Sequence, residues 1–160
     1  MTELSALTGD DLDLILDTPG VVMKGAIVAD GHKNALAFLK EVTAGAKEFR
    51  AAQRHENAFV KAVATKLRER GTDPESDDRE LPFTDEAMTQ ALKQAEAAAA
   101  LLRERADAAD ADAYSAWLLQ IATVIAESVK TKEAGFFSRK VAVTAGERVF
   151  LDQLARALGR

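Results

Sequence analysis

The apolar residues between positions 110 and 130 recur at steps of three and four, the spacing of one face of an α-helix. This stripe contains the single tyrosine and the single tryptophan of the chain, and its members are Tyr114, Trp117, Leu118, Ile121, Ile125 and Val129. Further apolar residues widen the stripe, so the pattern predicts a helix that is buried on more than one side. Because large aromatic and aliphatic side chains bury the most apolar area, we expect a helix near residues 112–130 to form the centre of the fold.

The N-terminal part of the chain predicts two short helices. Thr8 or Asp10 can cap the first helix. The pair Thr18-Pro19 predicts a stop and a new start, because threonine is a capping residue and proline is favoured at the first helical position. The second helix is expected over Val21–Ala29, and Gly31 is typical of a helix end.

Residues 33–70 contain no proline and a single glycine, and they carry a heptad pattern that two polar residues, Gln53 and Glu56, interrupt. One long helix and two helices broken near Arg54–Asn57 both fit this pattern. We favour the break, because ordinary domains seldom contain helices of this length. The seam comprises Ala35, Leu39, Val42, Ala46, Phe49, Gln53, Glu56, Val60, Val63 and Leu67.

Three titratable residues, Glu41, Glu48 and His55, follow one another at seven-residue steps, so they share one helical phase if the helix is continuous. That phase is the outward one relative to the heptad seam, so we expect a solvated face rather than a site. His32 and His55 are the only histidines. The Glu-x-x-His spacing of a di-iron bundle is absent from the chain.

Residues 72–83 are rich in acids and contain two of the three prolines, so they predict a mobile acidic loop. Their acids lack the spacing of a calcium-binding loop. Thr84 then begins a helix with an alanine-rich inner face, and the aspartates of residues 107–112 predict a break before the central helix.

The C-terminal part predicts a last helix that begins with a capping box, in which Thr144 covers a free amide and Glu147 reaches back. This helix is expected to bury Leu154 and Leu158, together with either Phe150 or Val149. No segment alternates between apolar and polar residues over a convincing length. The whole chain, residues 1–160, is therefore predicted to be a single all-α domain, a compact helical bundle of about six or seven helices.

Composition narrows the functional classes. The formal net charge of −5 argues against a protein that binds nucleic acid by covering phosphates. The chain has no cysteine, which excludes disulfides, thiolate zinc sites and thiol nucleophiles. Neither a signal peptide nor a membrane-spanning segment is recognisable, so we expect a cytoplasmic location. Glycine-rich phosphate loops, His-Glu-x-x-His and Gly-x-Ser-x-Gly are all absent, so no catalytic constellation indicates an enzyme.

One short segment combines aromatic and basic residues just before the last helix. Phe136, Phe137, Arg139 and Lys140 form this group. It could bind a partner or an anion, because a helix N-terminus presents free amides. Alternatively, both phenylalanines fill the core at the end of the bundle, as large aromatic residues usually do.

Two segments resemble the TerB-like helical family, which is associated with tellurite resistance. They are Ala26–Gly31, where an apolar helix ends in Ala-Asp-Gly, and Thr144–Gly159, which is similar to the closing helix of that family. The resemblance implies a cytosolic helical bundle whose acidic residues meet a metal ion, with Asp30 and Glu147 at the matching positions. The chain departs from the family where no acid closely follows Asp30-Gly31 and where Glu127-Ser128 replaces a second Asp-Gly.

These observations lead to three functional hypotheses. The first is a non-enzymatic interaction or assembly protein without a cofactor, which binds a protein partner or itself, for example as a homodimer. The second is a metal-responsive protein of the stress response that uses Asp30 and Glu147 to hold a divalent cation, as the resemblance implies. The third is a binder of a small ligand in a pocket between helices. We favour the first hypothesis.

Overall fold

The computed structural model describes residues 2–29, 35–70, 85–128 and 145–160. Over these residues the chain forms a short 3-10 helix at Leu4–Ala6 and six α-helices, with no strand. The predicted all-α bundle is therefore confirmed. The helices are α1 Gly9–Ala29, α2 Ala35–Ala52, α3 Ala58–Glu69, α4 Asp85–Arg105, α5 Ala108–Ser128 and α6 Ala145–Ala157.

The helix α5 is the predicted central helix, and it packs against every other described α-helix. Its buried residues lie on more than one side, as the widened stripe predicted. Tyr114 and Trp117 make edge contacts with Phe59 of α3 and Phe49 of α2, respectively, with ring centroids about 6 Å apart. The helix α1 also contacts every other described α-helix, so the bundle has two central helices rather than one.

The predicted break at Thr18-Pro19 is wrong, because α1 continues through Pro19 as one helix. Proline has no N–H, so it cannot donate to the carbonyl four residues earlier, that of Ile15. The buried hydroxyl of Tyr114 donates to this carbonyl oxygen over 2.7 Å. A side chain from α5 thus supplies the hydrogen bond that the proline removes, and the helix tolerates the proline.

The predicted break between α2 and α3 is confirmed. Helix α2 ends at Ala52, and three amides of the turn (Gln53, Arg54 and His55) bond to carbonyls three residues earlier. Asn57 then caps α3, because its side chain accepts a hydrogen bond from the amide of Val60 over 3.0 Å. The predicted break before the central helix is also confirmed, since α4 ends at Arg105 and α5 begins at Ala108.

The predicted phase of α2 is wrong at two positions. Leu39, a member of the seam, is 60 % exposed, whereas Glu41, expected on the solvated face, is only 1 % exposed. The prediction assumed a strict seven-residue repeat over a continuous helix. Over residues 39–52, for which burial is described, the shorter helix buries a face with its own phase, comprising Glu41, Val42, Gly45, Ala46 and Ala52.

Helix α6 resolves the alternative at its first apolar positions, because Phe150 is buried and Val149 is 56 % exposed. The ring of Phe150 contacts α1 at Gly25, where an added Cβ would lie 3.0 Å from its Cζ atom. Over the described parts of the chain, no helix combines the length and the apolar character needed to cross a bilayer.

Candidate functional site

At one end of the bundle, the last turn of α1 lies against the first turn of α6, and α2 begins six residues after the end of α1. Gly146, the second residue of α6, lies so close to α1 that an added Cβ would be 2.8 Å from the carbonyl oxygen of Ala29. Gly45 of α2 lies against the side chain of Met23. Since only five residues separate α1 from α2, the N-terminal turns of α2 lie towards the end of α1. We call this region the Ala29 end.

The Ala29 end carries both of the large hydrophobic side chains that are exposed among the described residues, Leu39 and Val149. Leu39 lies in the second turn of α2, and Val149 lies one turn after Gly146 in α6. Single exposed apolar residues are common on any protein surface. Here the two residues occur at the same end, on two helices that begin there.

Two buried carboxylates also lie towards this end. Glu41 is 1 % exposed and Glu147 is 2 % exposed, and each takes part in further polar interactions. Glu147 lies in the first turn of α6, where the helix dipole stabilises a negative charge. This is the position that the capping box predicted for Glu147, while Thr144 lies outside the described residues. The burial of Glu147 was not predicted.

Of the two acids in the metal site implied by the TerB-like resemblance, Glu147 belongs to the described residues. Asp30 lies outside the described residues, but its neighbour Ala29 lies against Gly146, the neighbour of Glu147. The fold therefore brings the residues that directly precede the two candidate acids into contact. Among the described residues, no three acids or histidines form a group able to hold a metal ion.

The aromatic and basic group that could bind a partner or an anion, Phe136, Phe137, Arg139 and Lys140, lies outside the described residues. The same is true of His32 and of the predicted acidic loop at 72–83. These predictions stay as they were made from the sequence.

An open groove of about 350 Å³ runs along the outer face of α3 beside the 3-10 helix. Leu4, Ala58 and Ala62 give it an apolar lining, while Lys61 and Lys66 bring ammonium groups to it. Lys66 forms an ion pair with Glu69 at 4.0 Å, and both side chains are well exposed. Such an exposed pair contributes little free energy.

At the opposite end of the bundle, Asp110 ties three parts of the chain together. Its Oδ2 atom accepts a hydrogen bond from the amide of Thr2 over 2.6 Å, and its Oδ1 atom accepts one from Asn57 Nδ2 over 3.0 Å. Thr2 Oγ1 in turn accepts a bond from the amide of Asp107 over 2.8 Å. The N-terminal segment, the start of α3 and the start of α5 thus meet at one buried carboxylate.

The pKa of Asp110 reflects two opposing effects. Burial raises it, but the hydrogen bonds from Thr2 and Asn57 together outweigh the burial and hold the pKa below its ordinary value. Asp110 therefore stays ionised, as its acceptor role requires.

The turn between α2 and α3 places a histidine beside this network. Nδ1 of His55 accepts a hydrogen bond from the amide of Asn57 over 2.9 Å. Glu48, half-buried on α2, interacts electrostatically with His55. Burial raises the pKa of Glu48, and the neighbouring imidazole partly opposes this change.

The hydrogen bond between Asn57 and Asp110 was not predicted from the sequence. Asn57 carried a recognisable signal, because an asparagine directly before the apolar run Ala-Phe-Val is typical of a helix N-cap. Asp110 was predicted only as an acid at a helix start. Its bond to Asn57 spans 53 positions and its bond to Thr2 spans 108, and no local pattern reports such separations.

Comparisons with known proteins give no relative: no protein-family model, curated protein or solved structure matches the chain.

Proposed function

We propose that this chain is a non-enzymatic helical protein that associates with a second copy of itself through the Ala29 end. The observation that supports the proposal is the exposure of Leu39 and Val149 at this end. An exposed apolar side chain gains free energy when a partner removes it from water. A second copy offers the same two side chains, and a two-fold axis would use each of them twice.

The free energy gained on association can be estimated from the exposed apolar area. Complete burial of a leucine or valine side chain stabilises by about 1.5–3 kcal/mol, so burying roughly half of one contributes on the order of 1 kcal/mol. Leu39 and Val149 are a little more than half exposed. In a two-fold dimer each residue counts twice, so a charged replacement removes about 2 kcal/mol, which weakens the dimer roughly thirtyfold.

Sedimentation equilibrium tests this proposal with Leu39→Lys and Val149→Lys. Both side chains are exposed, so the monomer keeps its fold, which circular dichroism verifies. Ala51→Lys in α2 and Gln153→Lys in α6 are matched controls, because both residues are exposed and lie further from the helix starts. We expect the first two variants to weaken the dimer and the controls to leave it unchanged. A wild-type monomer at all concentrations, or equal weakening in the controls, would contradict the proposal.

The second candidate function is binding of a divalent cation by Asp30 and Glu147. The close approach of Gly146 to Ala29 favours it, since these residues immediately precede the two acids. A cation that binds only the folded chain raises the unfolding temperature. The test is thermal unfolding with and without Mg²⁺ or Ca²⁺, using Asp30→Ala and Glu147→Gln. Cation-dependent stabilisation that either variant abolishes supports binding; unchanged stabilisation in both variants rejects this site.

A further inference from the structure

The groove of about 350 Å³ on the outer face of α3 has the dimensions of a surface that binds a helix. The residues of α3 that line it follow the spacing i, i+3, i+4, i+7, i+8 and i+11, which is one continuous face of an α-helix. This face is about 16 Å long, the length of roughly three helical turns. In chain order, the residues are Ala58, Lys61, Ala62, Thr65, Lys66 and Glu69.

The lining of the groove selects for side chains rather than for a backbone. Ala58 and Ala62 end at the Cβ atom, and Leu4 of the 3-10 helix adds a larger apolar side chain beside them. Apolar side chains of a partner gain free energy when such a lining removes them from water. The amides and carbonyls of α3 already bond within the helix, so a partner cannot pair with them as an added strand. A helix that presents an apolar face is the partner that fits.

The charge of the groove is opposite to that of the chain as a whole. Two lysines and one glutamate line the groove, whereas the formal net charge of the chain is −5. The chain as a whole therefore repels an acidic partner, and the groove attracts it locally. Such a contrast in charge favours one docking position over others.

Lys61 supplies a positive charge that is not already engaged. Its side chain is exposed, and within the described part of the chain its ammonium group has neither an ion pair nor a hydrogen bond. A carboxylate of the partner would supply the missing counter-charge. The other cations of α3 and its C-cap have partners: Lys66 pairs with Glu69 at 4.0 Å, Arg68 donates to Gln53 over 3.2 Å and Arg70 pairs with Asp17 at 3.9 Å.

We propose that the groove on the outer face of α3 is a docking site for an amphipathic helix of a partner protein, whose apolar face is flanked by acidic residues. The apolar face lies along Ala58 and Ala62, and a carboxylate of the partner pairs with Lys61. None of the residues that line the groove belongs to the Ala29 end, so the site does not depend on self-association there.

A displayed library of amphipathic helices tests the proposal against the full chain. Each helix has about 18 residues, long enough to cover the groove and to be helical on its own. The apolar face is constant, and the flanking positions vary among acidic, basic and neutral residues. We expect selection to enrich acidic flanks, and the selected helices to shift the amide resonances of residues 58–69. Enrichment of basic flanks, or of no helix at all, would overturn the proposal.

Two pairs of variants locate the binding of the selected helices. Lys61→Glu should raise the dissociation constant about fivefold or more, because a repulsion replaces an exposed ion pair, whereas Lys93→Glu makes the same charge change on α4 and should have no effect. Ala62→Gln fills the groove without a charge and should weaken binding at least as much, whereas Ala51→Gln on the exposed face of α2 should not. Circular dichroism verifies that all four variants fold.

Equal weakening in a variant and its control would contradict docking in the groove. Sedimentation equilibrium of Ala62→Gln without any added helix separates a partner protein from a second copy of this chain. We expect the self-association of this variant to equal that of the wild type. Weaker self-association would place a second copy in the groove and overturn the proposal.

Discussion

Tyr114→Phe removes the hydroxyl group whose hydrogen bond allows α1 to continue through Pro19. The substitution removes only the hydroxyl group, which donates to the carbonyl oxygen of Ile15 over 2.7 Å. Tyr114 and Ile15 are both 0 % exposed, so water cannot replace the lost donor without a rearrangement of the core. The carbonyl of Ile15 then lacks both the helical amide, which proline does not have, and the tyrosine hydroxyl.

The cost follows from leaving a buried acceptor unsatisfied. Such a group costs about 1–3 kcal/mol, more than the net contribution of an average hydrogen bond. For a chain of this size, each kcal/mol lowers the unfolding temperature by about 2–4 °C. We therefore expect Tyr114→Phe to lower the free energy of unfolding by about 1–3 kcal/mol in urea titrations.

A double-mutant cycle with Pro19→Ala separates this explanation from a general loss of packing. Alanine at position 19 restores an N–H that can donate to Ile15, as in an uninterrupted helix. In that background, Tyr114→Phe should cost about 1 kcal/mol less than in the wild-type chain. Equal costs in both backgrounds, within about 0.3–0.5 kcal/mol, would refute the proposed compensation.

Three further predictions concern stability. Burial raises the pKa of Tyr114 above its ordinary value. The contribution of Tyr114 to the free energy of unfolding is therefore fully present below about pH 10 and is lost as the pH rises towards the folded-state pKa. The urea midpoint of the wild type should fall at alkaline pH more steeply than that of Tyr114→Phe. Hydrogen bonds hold the pKa of Asp110 low despite its burial. The contribution of Asp110 to the free energy of unfolding is therefore present above about pH 3.9 and is lost as the pH falls through the lower folded-state pKa. In urea titrations at acidic pH, Asp110→Asn should lose less stability with falling pH than the wild type. Gly25→Ala should destabilise by about 1–3 kcal/mol, because its Cβ would lie 2.7 Å from that of Ala91. Gly20→Ala in the same helix has no atom within 4 Å of the added Cβ and should stabilise by about 0.5–1 kcal/mol; thermal unfolding of the two variants side by side checks the opposite signs.

The elements that local chemistry determines were predictable from the sequence. The polar residues at 53–57 interrupt the apolar pattern, and the chain does turn there. The aspartates at 107–112 predicted a new helix start, and α5 begins at Ala108. The stripe through Tyr114 and Trp117 predicted a buried helix, because its apolar period is visible without knowledge of any partner.

The features that depend on distant contacts were not predictable. Pro19 is a helix breaker by its own chemistry, and only the hydroxyl of Tyr114, 99 positions away from Ile15, changes that outcome. The phase of α2 depends on how the helix turns towards α1 and α5, so Leu39 and Glu41 exchanged their expected environments. At the Ala29 end, the first-turn position of Glu147 was predicted, but the contact between Gly146 and Ala29 was not.

Native mass spectrometry of the untagged chain, without added metal, tests the proposed self-association most directly. We expect a dimer whose mass is twice that of the chain, and Leu39→Lys together with Val149→Lys should convert it to monomer. The exposed pair Ala51→Lys and Gln153→Lys should leave the dimer intact. A monomer that carries a cation would contradict self-association and support the candidate site at Asp30 and Glu147, whereas a bare monomer would contradict self-association alone.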